Sequence, residues 1–191
     1  MGKIFLIRHG QDADNEAGIL NGRRDVELTE SGREQARKVA EKLRDNDVRI
    51  IYASPLKRAY ETARIIATEL GIDEVATDEY LIERDFGVLT GKPISDITKY
   101  TDKILPTDKV NYFLEAEGAE NFPTLLERGK NILEKIKQKH PNDNVLIVTH
   151  GDVGKMMRAA YHGWTWEAGL KTPYFDNTGV LELSKKQDIL E

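Results

Sequence analysis

The chain has 191 residues, 39% apolar and 32% charged, with a formal net charge of −5 and no cysteine. That length suits one domain with a sizeable core, no apolar run approaches the roughly 18 residues of a membrane span, and the acidic balance argues against non-specific nucleic-acid binding. Without cysteine the chain can form no disulfide, thiolate metal site or cysteine nucleophile, which fits a cytoplasmic protein.

Taken in chain order, "KIFLIR" at 3–8 predicts a buried strand. It lacks the small-residue cleavage site of a signal peptide and the Ser/Thr of a myristoylation signal. It ends in Arg8-His9-Gly10, and the loop beyond carries Asp12, Asp14, Asn15, Asn21, Gly22, Arg23 and Arg24. "LTESGREQARKVAEKLRDN" predicts a helix N-capped by Thr29, with Ala36, Val39, Ala40 and Leu43 on its buried face. A strand follows at 49–53. The clearest helix is "SPLKRAYETARIIATELG", with Ser54 as cap, Pro55 in the first turn and Gly71 as stop. Leu56, Ala59, Tyr60, Ala63, Ile66, Ala67 and Leu70 form its expected buried stripe. Arg58 in its first turn opposes the helix dipole at a cost of about 0.3–1 kcal/mol. A bound anion would reverse that sign; otherwise the side chain extends into water.

Residues 86–119 mix Gly, Pro, Thr and scattered charge without a period, and read as an insertion packed over one edge. A helix at 124–139 buries Leu125, Leu126, Ile132, Leu133 and Ile136. "NVLIVT" at 144–149 is a second long apolar strand, and it ends in His150-Gly151. A helix at 152–161 buries Val153, Met156, Met157, Ala160 and Tyr161, and a last strand lies at 179–183. Strands alternating with helices predict an α/β fold in three layers: a mostly parallel central sheet, helices on both faces, and the short inserted segment over the active-site edge. Residues 1–191 are expected to form this single domain.

The His-Gly ending occurs twice. Ligands of open parallel sheets bind at the carboxyl ends of strands, so His9 and His150 face one pocket if their strands are neighbours. Gly10 and Gly151 let the backbone turn and a ligand approach. One histidine alone would read as a core residue; two at matched strand ends point to a site. Arg8 and Arg58 bring cations, and Asn15 and Asn21 bring amide donors. His140 and His162 follow helix ends and read as structural or exposed. The two histidines with Asp12, Asp14 or Asp152 could instead hold a divalent metal, although no short-range ligand spacing is present.

"LIRHGQDADN", "GRRDVELTESGREQA", "YASPLKRAYETA", "LIERDFGVLTG", "EGAENF" and "VLIVTHG" together resemble the histidine phosphatase superfamily, also called phosphoglycerate-mutase-like, from about residue 3 to 183. The resemblance implies a phosphohistidine nucleophile at His9 and phosphoryl-oxygen ligands at Arg8, Arg58 and His150. It implies a phosphate contact at Asn15, a donor at Asn21 beside Gly22, Gly151 at the substrate, and Glu83 as general acid and base. Read without it, Glu83 would be a surface carboxylate paired with Arg84. The implied substrate is a small phosphorylated metabolite, with no cofactor, no metal, no nucleic acid and no membrane. The sequence carries no signal of oligomeric state.

The chemistry accounts for these residue types. Imidazole attacks phosphorus only when neutral, and neighbouring guanidinium groups disfavour imidazolium. Glu83 beside a phosphate should have a raised pKa and stay protonated for the leaving group. There are departures from the family pattern. Gln11 stands where many members have Glu. Asp152 stands where mutases often have Asn, and as a carboxylate at the pocket edge it would repel a second phosphate. Asp12 and Asp14 add negative charge to the first loop. About 60 residues separate Glu83 from the "VLIVTH" strand and eight follow "GVLEL", little material for a mutase to close its site. A phosphatase is therefore expected ahead of a mutase, with a non-enzymatic phosphate binder as a further alternative. Lys92, Lys99, Tyr100, Lys103, Lys109 and Tyr112 of the insertion are candidates for reaching the leaving group.

Overall fold

A computed structural model describes residues 2–107 and 109–184. The chain runs β1 (Ile4–Arg8), α1 (Ala13–Ala17), α2 (Glu30–Leu43), β2 (Val48–Ala53), α3 (Lys57–Leu70), β3 (Ala76–Thr77), β4 (Ile104–Pro106), β5 (Asn111–Phe113), α4 (Phe122–Lys139), β6 (Asn144–Thr149), α5 (Gly151–His162), α6 (Trp166–Leu170) and β7 (Val180–Leu183). The expected domain span of 1–191 reaches past the described residues at both ends, and all but Ser184 of the segment after "GVLEL" lies outside them. Among the described residues no helix is long and apolar enough to cross a membrane.

The central sheet has the order β3-β2-β6-β1-β7, parallel throughout except for the antiparallel edge strand β7. Side chains alternate across a strand, and each face buries its own layer. Ile4 and Leu6 of β1 with Val145 and Ile147 of β6 pack under α4, α5 and α6. Phe5 and Ile7 with Leu146 and Val148 pack under α2 and α3. Both central strands are thus covered on two sides, which is why they read as continuous apolar runs. β1 and β6 are neighbours, Arg8 lies opposite Thr149, and the His9 amide donates to the Thr149 carbonyl at 3.0 Å. The two His-Gly endings therefore leave the sheet side by side.

Thr29 caps α2 as expected, accepting from the Gly32 amide at 3.1 Å. Two expectations for α3 need correction. Ser54 is not its cap: the helix begins at Lys57 after Leu56, which makes no side-chain cap. Pro55 disfavours helical geometry in the residue before it, and the Ser54 hydroxyl is engaged elsewhere. Tyr60 is 38% exposed, because the buried stripe runs through Ala59, Thr62, Ala63 and Ile66. The insertion forms short helical turns, including Gly87–Leu89 and Ile94–Lys99, and a β4–β5 hairpin. These close on a small core of Phe86, Leu89, Ile97 and Phe113.

Candidate active site

His9 is buried at the end of β1, its Nδ1 2.7 Å from the Gly10 carbonyl. A carbonyl can only accept, so Nδ1 carries the ring proton and Nε2 keeps a lone pair. Arg58 Nε donates to that Nε2 at 3.2 Å. Burial first, then the charges of Arg58 and Arg8, hold the imidazole well below its ordinary pKa, against the Gly10 carbonyl. His9 is thus neutral, with its unprotonated nitrogen accepting from a guanidinium.

Arg58 does not extend into water. It is fully buried and donates to the Arg24 carbonyl at 2.6 Å and the Gly22 carbonyl at 2.9 Å. Gly22 sits at φ +50°, where a Cβ would meet Thr90 Oγ1 at 2.9 Å, so the turn that aims its carbonyl at Arg58 requires glycine. Beneath lies Asp12, 3.4 Å from Arg58 Nε. Asp12 caps α1 through the Asn15 amide at 2.7 Å and accepts from Asn21 Nδ2 at 2.6 Å. Asp14 pairs with Arg24 at 2.7 Å. The two aspartates therefore do not add free negative charge to the loop; both neutralise arginines and have no oxygen set aside for a metal.

Arg8 NH1 donates to the Tyr174 hydroxyl at 2.6 Å and the Phe175 carbonyl at 3.0 Å, while its buried Nε has no hydrogen-bond partner. A Cβ at Gly151 would lie 3.9 Å from both Arg8 Nε and Glu83 Oε2, so these groups converge on the bare glycine backbone. His150 is fully buried, its ring 5.0 Å from that of His9, with Nε2 2.8 Å from Ser54 Oγ. Burial, then Arg58, lower its pKa too.

Glu83 is buried and faces the N-terminus of α5. It accepts from the amides of Arg84 at 2.8 Å and of Asp152 and Val153 at 3.4 Å each. Burial, then the Asp152 charge, raise its pKa; the Arg84 amide, Arg58 and Arg8 oppose this. The surface-pair reading fails, because the Arg84 side chain bonds Asp152 at 2.7 Å and lies over the Phe113 ring at 3.9 Å. Asp152 is thus a buried carboxylate paired with Arg84 that still lines the cavity beside Glu83.

A cavity of about 620 Å³ opens over these groups. Arg8, His9, Asn15, Asn21, Gly22, Arg58, Glu83 and Gly151 line it; His150 does not, and stands behind His9. Of the insertion candidates, Lys109 and Tyr112 line the cavity. Lys92, Lys99, Lys103 and Tyr100 do not; Lys99 pairs with Asp96 at 2.8 Å. His140 lies away from the site, against Tyr52 at 3.0 Å.

Sequence reasoning gave Ser54 only as a helix cap, where it in fact meets His150, and missed Tyr174 and Asn177. Asn177 Nδ2 donates to the His9 carbonyl at 2.9 Å and to Asn15 Oδ1 at 3.0 Å, turning the Asn15 amide nitrogen away from itself. Thr178 follows at φ +51° and donates to the Arg8 carbonyl at 2.9 Å. Its only trace in the sequence is a turn-like "DNTG". Arg128 was missed as well; it gathers the Tyr80 and Ile82 carbonyls at 2.8 and 2.6 Å and fixes the approach to Glu83.

A family model described as histidine phosphatase superfamily (branch 1) matches residues 4–188. The chain is 37% identical over 182 residues to "uncharacterized phosphatase PhoE" of Bacillus subtilis, covering 95% of this chain and 84% of that protein. It is 33% identical over 156 residues to the 2,3-bisphosphoglycerate-dependent phosphoglycerate mutase of Parvibaculum lavamentivorans, covering 78% and 74%. Among solved structures it is similar to phosphoserine phosphatase in complex with 3-phosphoglyceric acid from Entamoeba histolytica, with a TM-score of 0.81, 29% identity, and coverage of 95% and 90%.

Proposed function

The chain belongs to the histidine phosphatase superfamily and is an enzyme of that family, and from that premise we propose that it hydrolyses small phosphomonoesters through a phosphohistidine on His9. The observation that carries this reading is the pair of bonds on one ring: the Nδ1 proton held on the Gly10 carbonyl and Nε2 left as a lone pair beside Arg58 at the cavity floor.

In the proposed first step Arg58 Nε–H turns from Nε2 to a phosphoryl oxygen, the released Nε2 lone pair attacks phosphorus, and the ester P–O bond breaks. Arg8, Arg58 and the Asn15 amide receive the phosphoryl oxygens, with His150 behind them. Losing one such fixed donor raises a barrier by about 2.7–4 kcal/mol. Burial and the Asp152 charge raise the Glu83 pKa and so favour the protonated form, whose proton passes to the leaving alkoxide as the ester bond breaks. In the second step water attacks the phosphohistidine, Glu83 takes the water proton, phosphate leaves and Nε2 regains its lone pair. Little else is needed for phosphoryl transfer than alignment and charge compensation.

Relatives named as mutases keep a second reading in view. A mutase must shield its phosphohistidine from water, and the insertion supplies only short helical turns and a hairpin of three-residue strands. The test is p-nitrophenyl phosphate in one assay and 3-phosphoglycerate with a trace of bisphosphate in another. Phosphate release that survives EDTA and vanishes in His9→Ala, with labelled phosphoryl trapped on His9, supports the hydrolase. Rapid 2-phosphoglycerate formation without phosphate release overturns it in favour of the mutase.

A further inference from the structure

Beyond the phosphoryl end, the cavity changes character. Leu20, Ile94, Ile97, Ile104, Val110 and Phe113 supply the apolar part of its outer wall. Beside them stand the neutral side chains of Ser95, Thr98, Thr107 and Asn111, and all are carried by the first loop, the Ile94–Lys99 turn and the β4–β5 hairpin region. Ile94 is 51% exposed, an isoleucine at the rim of a cavity with no partner side chain covering it fully. At about 620 Å³ the space lies in the range, roughly 300–1,000 Å³, of sites that enclose drug-sized molecules. The volume is continuous with the floor that holds His9 and Arg58.

The cations that line this outer region are all engaged. Arg84 is buried against Asp152 at 2.7 Å. Lys155 is buried with Nζ on the Leu170 and Thr172 carbonyls at 2.8 and 2.7 Å. Lys109 pairs with Asp176 at 3.2 Å in a largely exposed contact at the cavity mouth, where water screens its charge. Among the described residues lining the cavity, the remaining cations are Arg8 and Arg58 at the phosphoryl end. A carboxylate on the leaving group would give up hydration on entering and find no buried ammonium or guanidinium free to meet it, only the solvent-screened Lys109 at the mouth. An apolar chain would gain from every methylene it buries.

Resting on the phosphatase reading, we infer that the preferred substrates are phosphomonoesters of apolar alcohols, seated by the insertion's isoleucines and Phe113, and not amino-acid or sugar-acid phosphates. Leaving-group recognition is then a burial effect, and selectivity follows chain length.

The experiment uses n-alkyl phosphates from ethyl to octyl, whose leaving alkoxides have nearly equal intrinsic reactivity, beside phosphoserine and 3-phosphoglycerate. The expected result is a rise in kcat/KM of about three- to fourfold per added methylene until the cavity is filled. Hexyl phosphate should exceed phosphoserine by at least about tenfold. Ile94→Asn should lower the hexyl-to-ethyl ratio severalfold, and calorimetry on His9→Ala should show hexyl phosphate binding more tightly than ethyl phosphate. A flat series, or phosphoserine or 3-phosphoglycerate as the best substrate, overturns this inference while leaving a working phosphatase. No phosphate release from any ester, p-nitrophenyl phosphate included, defeats the phosphatase reading and this inference with it.

Discussion

Replacing Arg84 by methionine tests how the site's carboxylates are kept apart in role. Arg84 is fully buried, with Nε 2.7 Å from Asp152 and further bonds to the Phe113 and Glu120 carbonyls at 3.2 and 3.3 Å. Its guanidinium carbon lies 3.9 Å from the Phe113 ring centroid and 4.3 Å from that of Phe122. Methionine keeps the apolar contact with those rings, so the cavity cost is small. What is lost is the partner of a buried carboxylate, a loss of about 3–5 kcal/mol. For a chain of this size each kcal/mol moves Tm by about 2–4 °C, so calorimetry should show a fall of about 6–20 °C. The charge that compensates Asp152 also disappears. Because Asp152 already raises the Glu83 pKa, the alkaline limb of kcat/KM should move to higher pH in the folded variant. The double variant Arg84→Met with Asp152→Leu removes both charges and should recover most of the lost Tm. A fall under about 3 °C in the single variant, or a double variant no more stable than the sum of its parts, would refute the assignment.

Three other outcomes follow from the same geometry. The pKa values of His9 and His150 are depressed in the fold by burial and Arg58 but return to about 6.5 on unfolding. The unfolded chain therefore binds more protons as pH falls below that value, and urea titrations should show stability declining there. Asn177→Ala removes the donor shared by the His9 carbonyl and Asn15 Oδ1, and steady-state kinetics should show kcat/KM about tenfold lower with a circular-dichroism spectrum like that of the parent, two neutral hydrogen bonds being worth about 0.5–1.5 kcal/mol each. Gly154→Ala would place a Cβ 2.4 Å from a ring carbon of Phe175, next to the Tyr174 that binds Arg8. Overpacking there should cost about 1–3 kcal/mol in urea unfolding and raise KM; unchanged values for both would count against Tyr174 as the support of Arg8.

What the sequence disclosed and what it hid differ by range of contact. β1 and β6 are legible because burial on both faces makes each a continuous apolar run, and their neighbouring order follows once both end in His-Gly. Thr29 is legible because its partner lies three residues away. Ser54 carries the same local signature, yet its hydroxyl serves His150, 96 positions further on. Asp12, Asp152 and Arg84 look like loop charges in one dimension. Only the fold sets Asp12 under Arg58 and Arg84 against Asp152. Asn177 lies 168 positions from the carbonyl it holds. The elements missed outright, α1, β3, β4, β5 and α6, have two to five residues each, too few for a period to show.

The roles of the two acceptors near His9 Nδ1 follow from their distances. The Gly10 carbonyl stands at 2.7 Å and the Asp12 carboxylate at 3.7 Å. A nearer carboxylate would hold the same Nδ1–H tautomer but would raise the ring's pKa and favour imidazolium, which cannot attack. The neutral carbonyl holds the proton on Nδ1 and leaves Nε2 as the unprotonated nitrogen that the proposed mechanism uses. Once Nε2 carries a phosphoryl group, the ring bears positive character while Nδ1–H stays in place, and Asp12 is close enough to stabilise that charge without a proton moving. Asp12 is also tied to Arg58, Asn21 and the start of α1, so the carboxylate stays fixed as the ring changes charge. Asp12→Asn removes the charge but also turns an NH2 group toward the Asn21 and Arg58 donors, so Asn21→Ala, which removes only the Asn21 bond, serves as the control. Asp12→Asn keeps an acceptor for the Asn15 amide but removes the compensating charge, so the phosphohistidine should accumulate less and kcat should fall about tenfold or more, a loss comparable to one charge-assisted hydrogen bond of about 1.5–3 kcal/mol. Rapid-quench measurement of labelled His9 reads this directly. An undiminished phosphoenzyme level in Asp12→Asn would mean that the Gly10 carbonyl alone carries the ring through its charged state.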